Sequence, residues 1–245
     1  MLRLERRGSF MMNKECFICR KLLTNNFSWA LFSFKVKNSI ICNVCKSKLQ
    51  TLVGPFCRKC SRMLQEIPEN LIHDDLCHDC YRWEKHSMWK GILDSNKSLY
   101  SYNDFMKEII ARFKYRGDFA IAEVFGEEIK TYVVGKEYDM FVPIPLSDIR
   151  LNERGFNQSE VLIQIAGLTP TKVLIRKNSE KQSKKTKKER LEVSGLFEIL
   201  DNIDVNRKNI LIIDDIYTTG ATIRNAALEL KKAGANRIES LTMAR

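Results

Sequence analysis

Asp214 and Asp215 stand directly before the run Ile-Tyr-Thr-Thr-Gly-Ala-Thr222. A short loop of this kind can turn its backbone amides toward a phosphate, and a helix starting at its end adds the positive pole of its dipole. Thr218, Thr219 and Thr222 are the hydroxyl donors of such a cradle, and Gly220 gives the backbone freedom for close approach. Ala221 lies between them where the helix opens. Paired carboxylates beside a phosphate cradle make sense when the ligand also carries a diol, because a carboxylate accepts hydrogen bonds from ribose hydroxyls. The chemistry expected is recognition of a phosphorylated sugar. An ordinary strand, turn and helix with a threonine-rich cap is the plainer reading, and the less favoured one.

The cysteines form a second constellation. All 8 fall into Cys-x-x-Cys pairs: Cys16/Cys19, Cys42/Cys45, Cys57/Cys60 and Cys77/Cys80. Two intervening residues let a tight knuckle bring both sulfurs to one metal ion, and two knuckles complete a tetrahedral zinc site. Sequential pairing makes two zinc ribbons; interleaved pairing stays open. A disulfide scaffold is disfavoured, since no export signal precedes the cysteines and cytosolic thiols stay reduced. Four thiolates close the coordination shell, so structural zinc is expected rather than catalytic zinc. His78 lies inside the last knuckle, where it either replaces a ligand or, as is favoured, sits on the surface. Phe17, Arg20, Lys21, Lys46, Lys48, Arg58, Lys59 and Arg62 surround the knuckles; they suit a phosphate backbone or form a solvated face.

The elements that must position these groups alternate between strand and helix. Ile210-Leu-Ile-Ile213 reads as a buried strand that delivers the acidic pair to its C-terminal end, where open α/β sheets bind ligands. A helix follows from Thr222 to Lys232, stopped by Gly234, and then a strand from Arg237 to Met243. Upstream, Asn103 caps a helix with Phe105, Ile109, Ile110 and Phe113 at helical spacing, ending near Gly117. Asp118 caps the next, with Ile121, Val124, Phe125 and Ile129 inward and Gly135 as the stop. Asp139 to Val142 is a strand running into a loop made special by Pro143 and Pro145, a helix covers Gln158 to Ala166, and a strand Lys172 to Ile175. The expected fold is α/β with a mostly parallel sheet.

From Arg176 to Arg190 the pattern breaks. Arg176, Lys177, Lys181, Lys184, Lys185, Lys187, Lys188 and Arg190 face only Glu180 and Glu189, so an exposed basic loop is expected. The formal net charge of +11 points to polyanionic partners: nucleic acid, phosphorylated small molecules or an anionic membrane surface. No apolar run is long enough to span a membrane, and the basic start lacks the apolar run of a signal peptide, so a cytoplasmic location is expected. Four segments follow from these patterns: an extension over 1–12 with Met11 and Met12 as alternative starts, a cysteine-rich zinc domain over 13–82, a link over 83–98 carrying Trp83 and Trp89, and an α/β domain over 99–245.

The segment from Ile210 to Thr222 resembles the 5-phosphoribosyl 1-diphosphate (PRPP) motif of the type I phosphoribosyltransferases. Phe113-Lys-Tyr-Arg-Gly-Asp118, Val142-Pro-Ile-Pro-Leu146, Arg154-Gly-Phe-Asn-Gln158, Lys181-Gln182 and Glu189-Arg190 precede it in that order. With the cysteine pairs, they resemble the ComF late-competence family, and its ComFC branch in particular, over nearly all of Cys16 to Arg245. The resemblance implies a type I phosphoribosyltransferase fold preceded by zinc ribbons. It implies that Asp214 and Asp215 hold the ribose hydroxyls, that Thr218 to Thr222 bind the 5-phosphate, and that Mg²⁺ sits on the pyrophosphate and ribose oxygens. Pro143, Ile144, Pro145 and Leu146 fall where this fold binds pyrophosphate. Arg154 is left between a phosphate contact and a helix cap. Lys181, Lys184, Lys185, Lys187, Lys188 and Arg190 match the flexible region over the active site, where they neutralise a leaving pyrophosphate or track a DNA backbone.

The resemblance also implies a role in natural transformation, on the cytoplasmic side where single-stranded DNA enters, possible association with the inner face of the membrane, and a DNA-uptake helicase as a partner. Three functions are weighed in this order: a competence protein that handles single-stranded DNA with a PRPP pocket, an active phosphoribosyltransferase with an unknown acceptor, and a PRPP-sensing regulator. Stacking on single-stranded bases falls to Phe156, Tyr115, Tyr217 and Phe17 as candidates.

Overall fold

The computed structural model describes residues 15–23, 39–177 and 195–245. The chain forms two compact units, Met1–Lys48 and Leu49–Arg245. In the first, Glu15 bridges Leu22 and the Cys16 amide donates to the Lys21 carbonyl at 2.8 Å, closing a knuckle that turns at Arg20 with φ 62°. A one-turn helix, α1 (Asn43–Lys48), carries Cys45.

The second unit opens with a third knuckle and a small hairpin, β1 (Ile72–His73) and β2 (Leu76–Cys77), leading into α2 (His78–Lys85). Next come β3 (Ser95–Tyr100), α3 (Asp104–Arg116), α4 (Phe119–Val133), β4 (Met140–Pro143), α5 (Asp148–Arg154) and α6 (Gln158–Ile165). The hairpin β5 (Leu174–Arg176) and β6 (Phe197–Ile199) precedes β7 (Asn209–Ile216), α7 (Ala221–Lys232) and β8 (Arg237–Ala244). β3, β8, β7 and β4 form one parallel sheet in that order. Ile210 to Ile213 are buried without alternation, as befits an interior strand covered on both faces.

The helix signals act as expected at α3, where the Asn103 side chain accepts from the Met106 amide at 2.8 Å and Gly117 ends the helix with φ 60°. Asp118 does not cap α4 through its side chain; it accepts from Arg112 at 2.6 Å instead. β6 and α5 were not expected, although Ser147 before α5 and Gly155 after it mark its ends.

The stretch 83–98 is packed into the fold at both tryptophans. Trp83 is 7% and Trp89 1% exposed, their rings meet edge-on at 5.1 Å, and Ser95 already begins the edge strand β3. β3 escapes sequence reading because its inward residues Asn96 and Ser98 are polar. They are satisfied across the sheet: Ser240 donates to Asn96 at 2.8 Å, and the Ser98 and Thr242 hydroxyls meet at 2.8 Å. The same network reaches the knuckle, where the Ser61 hydroxyl donates to the Asn96 carbonyl at 2.7 Å. The second cysteine group lies in the same compact unit as the sheet, Leu49–Arg245.

Candidate functional site

β7 runs through Asp214 and Asp215 before the chain leaves the sheet, so the acidic pair is held by strand geometry and not by a loose turn. Asp214 accepts from the Ser159 hydroxyl at 3.2 Å and from the Asp215 amide at 2.9 Å. Ser159 is fixed in turn by Asn157, whose side chain caps α6 by accepting from the Ser159 amide at 2.9 Å. Asn157 also donates to the Ile144 carbonyl at 3.0 Å, tying the Pro143–Leu146 loop to α6. Pro143 and Ile144 are buried, and Pro145 and Leu146 half-buried, beside the acidic pair's strand, where the Ile144 amide donates to the Ile213 carbonyl at 3.2 Å.

Asp215 is 8% exposed and forms a short ion pair with Lys114 of α3. Lys114 stands in the motif that opens at Phe113, but local sequence assigns it no role, since its partner is about a hundred residues distant in the chain. Burial, reinforced by the neighbouring Asp215 carboxylate, pushes Asp214 from an ordinary 3.8 up to about 7. Between about pH 4 and 7 the folded protein thus keeps a proton that the unfolded chain has released, so this group's contribution makes stability fall as pH rises across that window. Asp214→Asn is expected to melt higher than the parent at pH 8, with the difference gone below pH 4. Thermal melts across that range check the sign.

After Ile216 the chain turns into the loop. Tyr217 is 1% exposed, while Thr218 and Thr219 are exposed and Thr222 half-buried. Gly220 has φ 81°, and a Cβ added there would overlap the Tyr217 hydroxyl. Two independent requirements therefore select glycine, and Gly220→Ala should lower affinity for a phosphorylated ligand by about five- to a hundredfold, an order-of-magnitude figure for backbone strain of about 1–3 kcal/mol. Calorimetric titration of the variant measures it. α7 starts at Ala221, and the Thr219 hydroxyl accepts from the Ala221 amide at 3.4 Å.

Arg154 ends α5, donates to the Gln158 side chain at 2.7 Å and lies 5.4 Å from the centre of the exposed Tyr115 ring. Arg176 lies over Phe197 and feels both Arg150 and Asp214; burial lowers its pKa. Lys181, Lys184, Lys185, Lys187, Lys188 and Arg190 lie outside the described residues. Among the stacking candidates, Tyr115 is exposed, Phe17 is half-buried, Phe156 packs between Phe113 and Phe119, and Tyr217 is enclosed.

The eight cysteines gather in the sequential pairing: Cys16, Cys19, Cys42 and Cys45, then Cys57, Cys60, Cys77 and Cys80, with the sulfurs of each group within 4.8 Å of one another. Cross-knuckle sulfurs approach to 3.7 Å in the first group and 3.6 Å in the second. Each set fits one tetrahedral zinc ion. Burial raises the Cys16 thiol, but the amides of Cys19, Cys42 and Ile18 outweigh it and bring it down to about 6, favouring the thiolate a metal needs. His78 is no ligand; its Nδ1 meets His73 Nε2 at 3.0 Å. Several knuckle cations are engaged within the protein: Arg58 pairs with Asp75 at 2.8 Å, Arg62 with Asp79 at 2.9 Å, and Lys59 donates to the Leu93 carbonyl at 3.0 Å.

Residues 121–245 match the phosphoribosyl transferase domain family. Competence protein ComFC of Bacillus subtilis is 38% identical over 235 residues, covering 94% of this chain and 94% of that protein. Competence protein ComFC of Streptococcus pneumoniae is 34% identical over 236 residues, covering 94% of this chain and 100% of that protein. Competence protein F of Haemophilus influenzae is 22% identical over 221 residues, 84% of this chain and 90% of that protein. Among the described residues, no helix is long and apolar enough to cross a membrane.

Proposed function

The chain belongs to the ComFC branch of the ComF competence family and carries a phosphoribosyl transferase domain, and from that membership we propose that it handles incoming single-stranded DNA during natural transformation with a PRPP pocket on its sheet. The observation that carries this reading is the end of β7: two carboxylates, then an exposed threonine pair, then a left-handed Gly220 opening α7. Asp214 and Asp215 accept from the ribose hydroxyls, with Lys114 and Ser159 holding them in place. Thr218 to Thr222 receive the 5-phosphate on loop amides and the α7 terminus. Pro143 to Leu146 border the diphosphate, and Arg154 lies close enough to Gln158 and Tyr115 to serve the same side.

Both carboxylates are already engaged by protein donors. Mg²⁺ therefore comes with the diphosphate, whose charge it neutralises, instead of being held by the acidic pair. Zinc fills the two cysteine groups as a structural ion. The DNA strand is assigned to the basic residues from Lys181 to Arg190, whose charge suits a phosphate backbone, and to the exposed Tyr115, whose ring suits base stacking. A DNA-uptake helicase is the protein partner that fits this role.

The test is made in a naturally transformable host. Transformation frequency is compared between the parent, a full deletion, and Asp214→Asn with Asp215→Asn at matched protein levels. Collapse in both altered strains is expected. Collapse on deletion alone would remove the pocket from the function, and no effect of deletion would leave the transferase reading first.

A further inference from the structure

The phosphate loop is held from behind by the second cysteine group. Trp83 Nε1 donates to the Thr219 carbonyl at 3.0 Å, and Arg245 Nη1 donates to the Thr218 carbonyl at 3.3 Å. No peptide bond among the described residues is cis, so in each peptide unit the carbonyl and the next amide point in opposite directions. With the Thr218 carbonyl turned to Arg245 and the Thr219 carbonyl turned to Trp83, the amides of Thr219 and Gly220 are turned away from these two donors. Two side chains thus select the peptide orientation that an anion cradle requires.

Both side chains are tied to the cysteine group. Cys77 caps α2, Cys80 lies in its first turn and Trp83 one turn further on, so a metal gripping Cys77 and Cys80 fixes the helix that carries the donor. Glu84, the next residue, pairs at 3.3 Å with Arg224, whose side chain is fully enclosed in α7 and lies 5.4 Å over the Trp83 ring. Lys59, within the third knuckle, stands 3.9 Å from the same Glu84 oxygen. The four cysteines share one buried cluster with Tyr217 and Ile223, the residues flanking the loop. Nε and Nη2 of both Arg224 and Arg245 are buried without a hydrogen-bond acceptor among the described residues. Zinc with four thiolates carries a net charge of −2, which matches the two guanidinium charges, and Arg245 acts electrostatically on Cys60.

We propose that the second cysteine group, when it holds zinc, is the anchor of a clamp in which Trp83 and Arg245 act as positioning residues for the phosphate loop, so that metal occupancy and ligand affinity are coupled. This rests on the PRPP reading of the loop. Zinc bound here favours the clamped loop, and by linkage a ligand bound in the loop favours zinc by the same factor.

Full-length protein is compared with Trp83→Phe, which keeps an aromatic ring but removes the donor, and with Trp89→Phe, which alters the same aromatic pair but leaves the donor to Thr219 in place. Trp83→Phe is expected to weaken PRPP binding with Mg²⁺ about fivefold, the effect of one lost hydrogen bond. Exchange of the Tyr217 and Arg224 amides, bonded to the Ala244 and Gly220 carbonyls at 3.0 and 2.8 Å, should quicken by a similar factor without ligand. Trp89→Phe should change neither. In equilibrium chelator competition, PRPP should tighten zinc at one of the two cysteine groups in the parent and at neither in Trp83→Phe. Equal behaviour of the two tryptophan variants, or unchanged amide exchange in Trp83→Phe at full zinc content, overturns the clamp. A parent that binds no PRPP sinks the reading of the ligand, while the exchange data still decide the clamp.

Discussion

Asp214→Asn combined with Asp215→Asn should lower PRPP affinity roughly a hundredfold or more, since each hydrogen bond to a charged acceptor contributes about 1.5–3 kcal/mol. The double change keeps volume and shape but replaces two charged acceptors by neutral amides, each of which also presents an NH₂ group toward a hydroxyl. It further strips Lys114 of its partner, leaving a half-buried cation beside the incoming sugar. Titration calorimetry with PRPP and Mg²⁺ reads the loss directly. The fold should persist, because Asp214 is a group whose burial raises its pKa and whose removal relieves desolvation. A double variant that binds PRPP within threefold of the parent would mean that the ribose lies elsewhere. The pH dependence sharpens this result. Ribose hydroxyls donate best to an ionised carboxylate, so affinity of the parent should rise as pH passes through about 7 and that rise should vanish in the variant.

Cys77→Ser should unfold the second unit, whereas Cys45→Ser should leave its melting transition in place. Binding of structural zinc by four thiolates contributes on the order of 10–16 kcal/mol, against a total domain stability of about 5–15 kcal/mol. The two sites differ in what surrounds them. Cys57, Cys60, Cys77 and Cys80 are 0–1% exposed and lie in one cluster with Val142, Ile210, Ile212 and Ile238 of the sheet. Cys16, Cys19, Cys42 and Cys45 lie in the separate unit Met1–Lys48, where Cys19 is exposed. Losing the first group removes a local fold; losing the second removes part of the main core. Zinc content by mass spectrometry and melting by circular dichroism separate the cases. Similar melting curves for the two serine variants would show that the second group is peripheral to the sheet's stability.

What local sequence determined is the part of the protein whose physics is local. The run Ile210 to Ile213 is buried because it has no polar residue to expose, and its acidic pair, loop glycine and helix follow without a break, so strand, turn and helix could all be read in one window. The cysteine knuckles were legible for the same reason: two residues between thiols suffice to bring both sulfurs to one point. The helices α3 and α7 were marked by periodicity and by their terminal residues.

Tertiary structure alone decided the rest, and each instance involves a polar or charged group whose partner is far away in the chain. β3 lacks an apolar stripe because Asn96 and Ser98 are satisfied by Ser240 and Thr242, so the signal of burial is carried by the partner strand. The link expected over 83–98 opens with the last residues of α2 and closes with the first of β3, neither of which its sequence marks. Lys114 reads as one more surface cation until α3 brings it to Asp215. Trp83 donates to a carbonyl 136 residues onward, and no spacing rule connects them. Side-chain periodicity records which faces are apolar, but a polar group's burial depends on finding its complement, and only the folded chain supplies that.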